Sequence, residues 1–342
     1  MARPRGARRP GRRPSAALGQ APARQAARGG PAGSWQARRR AGRAWSLPVL
    51  IVFAVLGSGA ALAGCGSPQP PVTPGVVRVV AGENFWGNIA AQIGGRHVRV
   101  TSIISSPNAD PHLYEADVTN AIAVAEAGLV IENGAGYDAF LPQLLGATRH
   151  PGRIVVSAQQ VLGAAGPDVN PHFWYDIPRV PQVAHAIEAA LARLDPRDAT
   201  AFAAGLAAFG RSLRPVEAVI AQIRRRYQRA PVAYTERVPG YLLAAAGLRV
   251  LTPPGFAAAI EDGIDPGPGD TAVMNGLITG HKVKVLLYNA QAVSPVTQHV
   301  RSLAGQAGIP VVAVTETMPP SYRSYQAWQL AQASALLHAL GS

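Results

Sequence analysis

Two stretches of this chain repeat one arrangement: Asn108-Ala109-Asp110-Pro111-His112-Leu113-Tyr114-Glu115, and then Asn170-Pro171-His172-Phe173-Trp174-Tyr175-Asp176. Each runs through Asp or Asn, Pro and His into aromatic residues and a carboxylate. Proline fixes its own φ and biases the residue before it toward extended backbone. Each histidine therefore follows a stiff, non-helical kink that can aim an imidazole at a shared point. Two such imidazoles make half of a metal site. A single Pro-His pair is more often an ordinary surface histidine; a matched pair in one chain is a stronger signal. Two carboxylates complete a candidate set. Glu236 follows a β-branched run in Thr235-Glu236, and Glu316 does the same in Thr315-Glu316-Thr317.

The elements that would position these residues alternate. Strands are predicted over 76–81, 98–104, 129–131 and 154–156, with helices over 86–93 and 118–126 between them. A helix is predicted over 180–194, broken by Asp195-Pro196, with Asp198 as the N-cap of a long helix over 199–227. Pro215 should kink or interrupt that helix. The grammar then repeats. Strands are expected over 232–234, 249–251, 283–288 and 310–314. Helices are expected over 241–246, 271–279, 295–308 and 325–340, with a Gly/Pro/Asp loop over 256–269. Strands alternating with helices imply parallel α/β sheets, whose ligands gather at the carboxyl ends of the strands. The expected fold is α/β, with two lobes, each a mainly parallel sheet flanked by helices, joined by one long connecting helix. The boundaries are 76–195 for the first lobe, 196–229 for the connecting helix and 230–342 for the second.

The charge of the chain separates from its folded part. The 342 residues carry 32 basic and 19 acidic side chains, a formal net charge of +13. Residues 1–64 hold 12 arginines and no acidic residue, which leaves 20 basic against 19 acidic side chains for the rest. The basicity is thus a leader and not a nucleic-acid-binding face. Residues 1–46 are rich in Arg, Ala, Gly and Pro without apolar periodicity. An apolar run over 47–61 follows, too short for a comfortable membrane span, and then Leu62-Ala63-Gly64-Cys65. This resembles a bacterial lipoprotein signal, with Cys65 lipidated as the first mature residue. Cys65 is the sole cysteine of the sequence, which argues against disulfides and thiolate ligands. Residues 65–75 read as a flexible tether.

Several pieces together resemble the solute-binding lipoproteins of bacterial zinc and manganese ABC importers. They are Ala81-Gly82-Glu83-Asn84-Phe85-Trp86-Gly87, Ile93-Gly94-Gly95, Asp110-Pro111-His112, Asn133-Gly134, Asn170-Pro171-His172-Phe173-Trp174, Thr235-Glu236, the stretch from Val283 to Gln291, and that from Pro310 to Glu316. The resemblance covers residues 76–340. It implies a cleft between the lobes that holds one divalent ion through four side chains: His112, His172, Glu236 and Glu316. It also implies a non-enzymatic receptor, Zn²⁺ or Mn²⁺ as transported ligand, and no organic cofactor. The partners would be an ABC permease and its ATPase, with no nucleic acid. The receptor would be a monomer anchored through Cys65 to the outer face of the cytoplasmic membrane. Family members often show Asp-Pro at the fourth position, where this chain has Glu316-Thr317-Met318-Pro319, and the His-rich loop of many zinc members is absent.

Two imidazoles and two carboxylates form a harder donor set than a His-rich one, and with an ion of charge +2 the site is formally neutral. Two rival readings use the same side chains: a secreted metallohydrolase and a surface adhesin. No His-Glu-x-x-His helix or Gly-x-Ser-x-Gly elbow supports the enzyme. Glu115 and Asp176 are expected to orient the two histidines or to be plain loop residues. Trp86 and Trp174 are expected to be packing residues of the cleft wall, and Asp262, Asp265 and Asp270 a solvated rim. The remaining histidines (97, 150, 185, 281, 299 and 338) are expected to be solvated.

Overall fold

The computed structural model of the chain describes residues 75–106, 114 and 116–342. The leader, the signal, Cys65 and nearly all of the tether lie outside the described residues, as do His112 and Glu115. The first half runs β1 (Val77–Glu83), α1 (Asn84–Gly94), β2 (Val98–Ile104), α2 (Val118–Glu126), β3 (Leu129–Glu132), α3 (Phe140–Ala147), β4 (Ile154–Ser157), α4 (Ala158–Val161) and α5 (Val180–Leu194). Next come α6 (Ala199–Ser212) and α7 (Arg214–Tyr227). The second half runs β5 (Pro231–Tyr234), α8 (Gly240–Ala245), β6 (Arg249–Val250), α9 (Pro254–Glu261), α10 (Pro268–Thr279), β7 (Leu286–Asn289), α11 (Pro295–Gln306), β8 (Val311–Val314) and α12 (Tyr325–Gly341).

The strands form two parallel four-stranded sheets with the same order, β2-β1-β3-β4 and β6-β5-β7-β8. Their apolar runs suit strands covered on both faces by helices. Register places Ala81 beside Ile131 in the first sheet and Asn289 beside Val314 in the second. All strands of a sheet run the same way, so their carboxyl ends line one edge; Glu236 and Glu316 follow directly from that edge in the second sheet, and His172 lies in the segment between α4 and α5.

Local chemistry explains most boundaries. Asp117 caps α2 by accepting from the Asn120 N–H, and the Asn120 side chain caps back. Ser294 and Thr297 make the same box at α11, and Ser324 caps α12. Helices α3, α4 and α9 escaped the sequence reading, and α10 begins three residues earlier than expected. The 256–269 stretch, expected to be a loop, contains most of α9 and the start of α10. Each begins on a proline at the first helical position, where its missing N–H costs nothing. Helix α3 tolerates Pro142 at its third position for the same reason. Helix α1 starts at Asn84, directly from the strand, with no loop between. The 199–227 run consists of two helices meeting at Leu213. The interruption is the one Pro215 demands, since its ring would clash with the Arg211 carbonyl of a continuous helix.

Helix α6 packs on α1 and α5, and α7 on α12. A Cβ at Gly205 would overlap the Ile93 carbonyl, so this glycine permits the close α1–α6 approach. Both sheets belong to one contact unit and share a single apolar cluster, in which Val79 and Ile131 join Val232, Leu287 and Leu336. Polar side chains on one face of α1 cross between the lobes. Asn84 exchanges hydrogen bonds with the Met318 backbone (2.8 and 2.9 Å), Asn88 accepts from the Tyr325 N–H (2.9 Å), and Gln92 pairs with Gln326 (2.8 and 3.0 Å). Their spacing of four residues is that of a helix face. Among the described residues no helix is long and apolar enough to cross a membrane.

Candidate metal centre

His172 leaves Pro171 and opens a short 3-10 turn over Phe173–Tyr175. Its loop is clamped from behind by Asn133, just beyond β3, which donates to the Pro171 carbonyl (2.8 Å) and accepts from the Trp86 indole (3.2 Å). Asn170 sets the ring. Its Oδ1 accepts from the His172 backbone N–H (3.1 Å) and lies 2.6 Å from Nδ1, while its Nδ2 donates to the Arg237 carbonyl across the cleft (2.9 Å). The oxygen therefore faces the ring, Nδ1 carries the proton, and Nε2 is the basic nitrogen. Nε2 points across the cleft to Glu316 Oε2, 3.7 Å away. The sequence offered Asp176 either for this orienting role or as a plain loop residue. The structure assigns it to Asn170, while Asp176 faces Arg179 at 3.7 Å.

Glu236 follows β5. Thr235 anchors that turn by donating its N–H to the Leu287 carbonyl (3.0 Å), and Arg237 pins the next residue through its N–H and Nε to Glu261 (both 2.8 Å). Glu316 follows β8. Its backbone N–H and that of Thr317 both donate to Gln291 Oε1 (2.6 and 2.9 Å). The Tyr137 hydroxyl, from the other lobe, donates to Glu316 Oε2 (2.9 Å). The Asn289 amide donates to Glu316 Oε1 (2.7 Å) and to Glu236 Oε2. His172, Glu236 and Glu316 are 0%, 2% and 1% exposed, so these acids are held away from water by buried donors.

Of the four residues singled out in the sequence, His172 faces Glu316 directly, and Glu236 and Glu316 each accept from Asn289. Among the described residues no group of three or more His, Cys, Asp or Glu side chains is placed so that it could hold a metal ion; His112 lies outside them. Sequence reasoning missed Asn289, Gln291, Tyr137, Asn133 and Asn170. The motifs containing Asn133, Asn170, Asn289 and Gln291 were visible, but only the fold shows which side chain each amide reaches.

Other expectations resolve individually. Trp86 and Trp174 are buried packing residues, and Trp174 stacks on Phe85 with ring centres 4.1 Å apart. Asp262 and Asp265 are exposed and Asp270 half-buried, as a rim would be. His150, His185, His281, His299 and His338 are exposed, whereas His97 is half-buried and pairs with Asp198 at 2.6 Å. Asp198 does begin α6, but it makes no side-chain cap to that helix.

Two further acids lie behind the site. Burial, with Asp138 and Glu132 nearby, holds the Glu83 carboxyl well above the usual carboxylate range; among the described residues neither of its oxygens has a hydrogen-bond partner. Burial also raises Asp138 to about 6, although the Asn133 and Gly134 N–H groups donate to it. Both groups bind protons more tightly in the folded chain than in the unfolded one. Their contribution to stability is therefore present below the unfolded carboxylate pKa and is lost as pH rises through the folded value, near 6 for Asp138. Glu83→Gln removes one of these ionisations. Its melting temperature should exceed that of the parent at pH 8, and the difference should shrink at pH 5. A gap that widens on acidification would contradict this assignment.

Comparison with known proteins follows the fold. The family described as zinc-uptake complex component A, periplasmic (ZnuA) matches residues 79–339. The manganese-binding lipoprotein MntA of Bacillus subtilis (strain 168) is 28% identical over 159 residues, which cover 44% of this chain and 52% of that protein. MntA of Halalkalibacterium halodurans is 26% identical over 173 residues, covering 49% of this chain and 56% of its own. The chain thus spans about half the length of the curated relatives it matches. The periplasmic zinc-binding protein TroA of Treponema pallidum superposes with a TM-score of 0.67 at 17% identity, over 78% of this chain and 99% of that one. FpvC of Pseudomonas aeruginosa, solved with Ni²⁺, gives a TM-score of 0.65 at 20% identity, over 78% of this chain and 97% of that one. These structural likenesses show the two-lobed fold. The match over residues 79–339 is what assigns family: the chain belongs to the periplasmic zinc-uptake component A family.

Proposed function

We propose that this protein is the extracytoplasmic metal receptor of an ABC importer. It captures one Zn²⁺ or Mn²⁺ between its lobes and delivers it to a membrane permease driven by its ATPase. The observation that carries the reading is the buried His172–Glu316 pair, Nε2 to Oε2 at 3.7 Å, with buried Glu236 tied to Glu316 through Asn289. His112 is the proposed fourth ligand. The family supports a receptor over a hydrolase or an adhesin. Relatives named for manganese and zinc, and one solved with Ni²⁺ and with Mn²⁺, leave the ion to be fixed by the donor set. A lipid on Cys65 and the tether after it would hold a monomeric receptor at the outer face of the cytoplasmic membrane.

Release would use small motions. The shared core and the α1 hydrogen bonds to residues 318–326 oppose wide opening, and the 233–240 loop is a candidate to shift. The 254–270 segment, first read as a loop, is largely helical and suits rigid displacement instead. Calorimetric titration of the full chain with Zn²⁺ and with Mn²⁺ tests the function. One ion per chain and a raised melting temperature are expected, because a ligand that binds the native state stabilises it. Absence of binding by either ion sinks the reading.

A further inference from the structure

Strand order gives Asn289 a central place in the second lobe. Strand β7 lies between β5 and β8. Glu236 stands two residues beyond the end of β5 and Glu316 two beyond the end of β8, while Asn289 is the last residue of β7. One amide at the end of the middle strand is therefore flanked by the two glutamates. Its orientation is settled by the backbone: Asn289 Oδ1 accepts from the Gln291 N–H (3.0 Å), so the oxygen is turned away and Nδ2 faces the acids. Nδ2 has two hydrogens, and the two acids receive them, Glu316 Oε1 at 2.7 Å and Glu236 Oε2 beside it. Asn289 is itself 1% exposed, so no water competes for the amide.

We propose that Asn289 is a positioning residue that determines which ion the site prefers, by holding one oxygen of each glutamate and so limiting both to single-oxygen coordination. This rests on reading Glu236 and Glu316 as ligands. A carboxylate chelates an ion only when both of its oxygens face it. Tethering one oxygen of each acid to the same amide turns that oxygen toward β7 and away from the cleft. Tyr137 reinforces this at Glu316 by donating to the second oxygen (2.9 Å), which fixes the plane of the carboxylate. Glutamates held to one donor oxygen each favour the low coordination number that Zn²⁺ accepts. An ion that favours six oxygen-rich ligands, such as Mn²⁺, would gain from chelating carboxylates, which this amide opposes.

The test compares the full chain with Asn289→Ala and Asn289→Ser, the latter keeping one donor for two acids. Zn²⁺ and Mn²⁺ affinities are measured by titration, and Co²⁺ serves as a spectroscopic probe of coordination number. The expected result is a Zn²⁺-to-Mn²⁺ affinity ratio that falls at least about tenfold in Asn289→Ala and less in Asn289→Ser, on the scale typical of groups that orient metal ligands. The parent should give the intense visible absorption of four-coordinate Co²⁺, weakened in the alanine variant. An equal loss of affinity for both ions, with the ratio unchanged, means a merely structural role and overturns the inference. A weak six-coordinate Co²⁺ spectrum in the parent also overturns it, and needs no variant to fold. If the parent bound neither ion, the receptor reading itself would fall, which is a different outcome from binding with an unchanged ratio.

Discussion

His172→Ala is expected to weaken binding of the transported ion by more than about 100-fold, because changes to groups that merely orient ligands already cost about 10–100-fold. The reasoning is local. Asn170 holds the proton on Nδ1, so Nε2 is the donor nitrogen, and it is the one directed at Glu316. The ring is packed edge-on between Tyr137 and Trp174, with centres 5.7 and 5.2 Å away, so its removal also leaves a cavity and costs Asn170 a donor. A drop in melting temperature is therefore expected as well. Metal titration separates the two effects: a folded variant with affinity within twofold of the parent would show that the ligand assignment is wrong.

Glu236→Gln is the second large effect, and it splits affinity from stability. In the metal-free chain two buried carboxylates share one amide, an arrangement in which ionising both is costly. The glutamine oxygen can still accept from Asn289, so the fold keeps its hydrogen bond and loses that cost. The metal-free variant should melt at or above the parent temperature. Ion binding should weaken by more than about 100-fold, since an anionic donor becomes a neutral amide. The stabilisation conferred by the ion, about 2.7 kcal/mol at a hundredfold excess over Kd, should then vanish from thermal scans. A variant that is less stable without metal yet still stabilised by the ion would identify Glu236 as a structural cap and not a ligand.

Much of the architecture was legible because local signals agreed with the fold. Helices over Val118–Glu126 and Val180–Leu194 and the strand over Val98–Ile104 fall where the apolar pattern predicts them. The interruption near Pro215 follows from the ring alone. Helix α9 was not legible, because Pro254 and Gly255 carry the composition of a loop. Proline at a first helical position and proline in a turn look identical until the following backbone is seen. His97 was misjudged for a related reason: it pairs with Asp198, about a hundred residues away, and no local pattern encodes that contact.

The Asp110-Pro111-His112 and Asn170-Pro171-His172 phrases, with Glu236 and Glu316 after their strands, were enough to nominate the ligands, since proline kinks and strand ends are written in adjacent residues. What only tertiary structure decided is how the nominated groups are held. Asn170 sets the tautomer of His172, Tyr137 reaches Glu316 from the opposite lobe, and Asn289 joins Glu236 to Glu316 because β7 lies between β5 and β8. Strand order is a long-range property. Sequence names the residues at the end of each strand, but which strands become neighbours follows from how the sheet assembles, and that neighbourhood brings one amide to two acids.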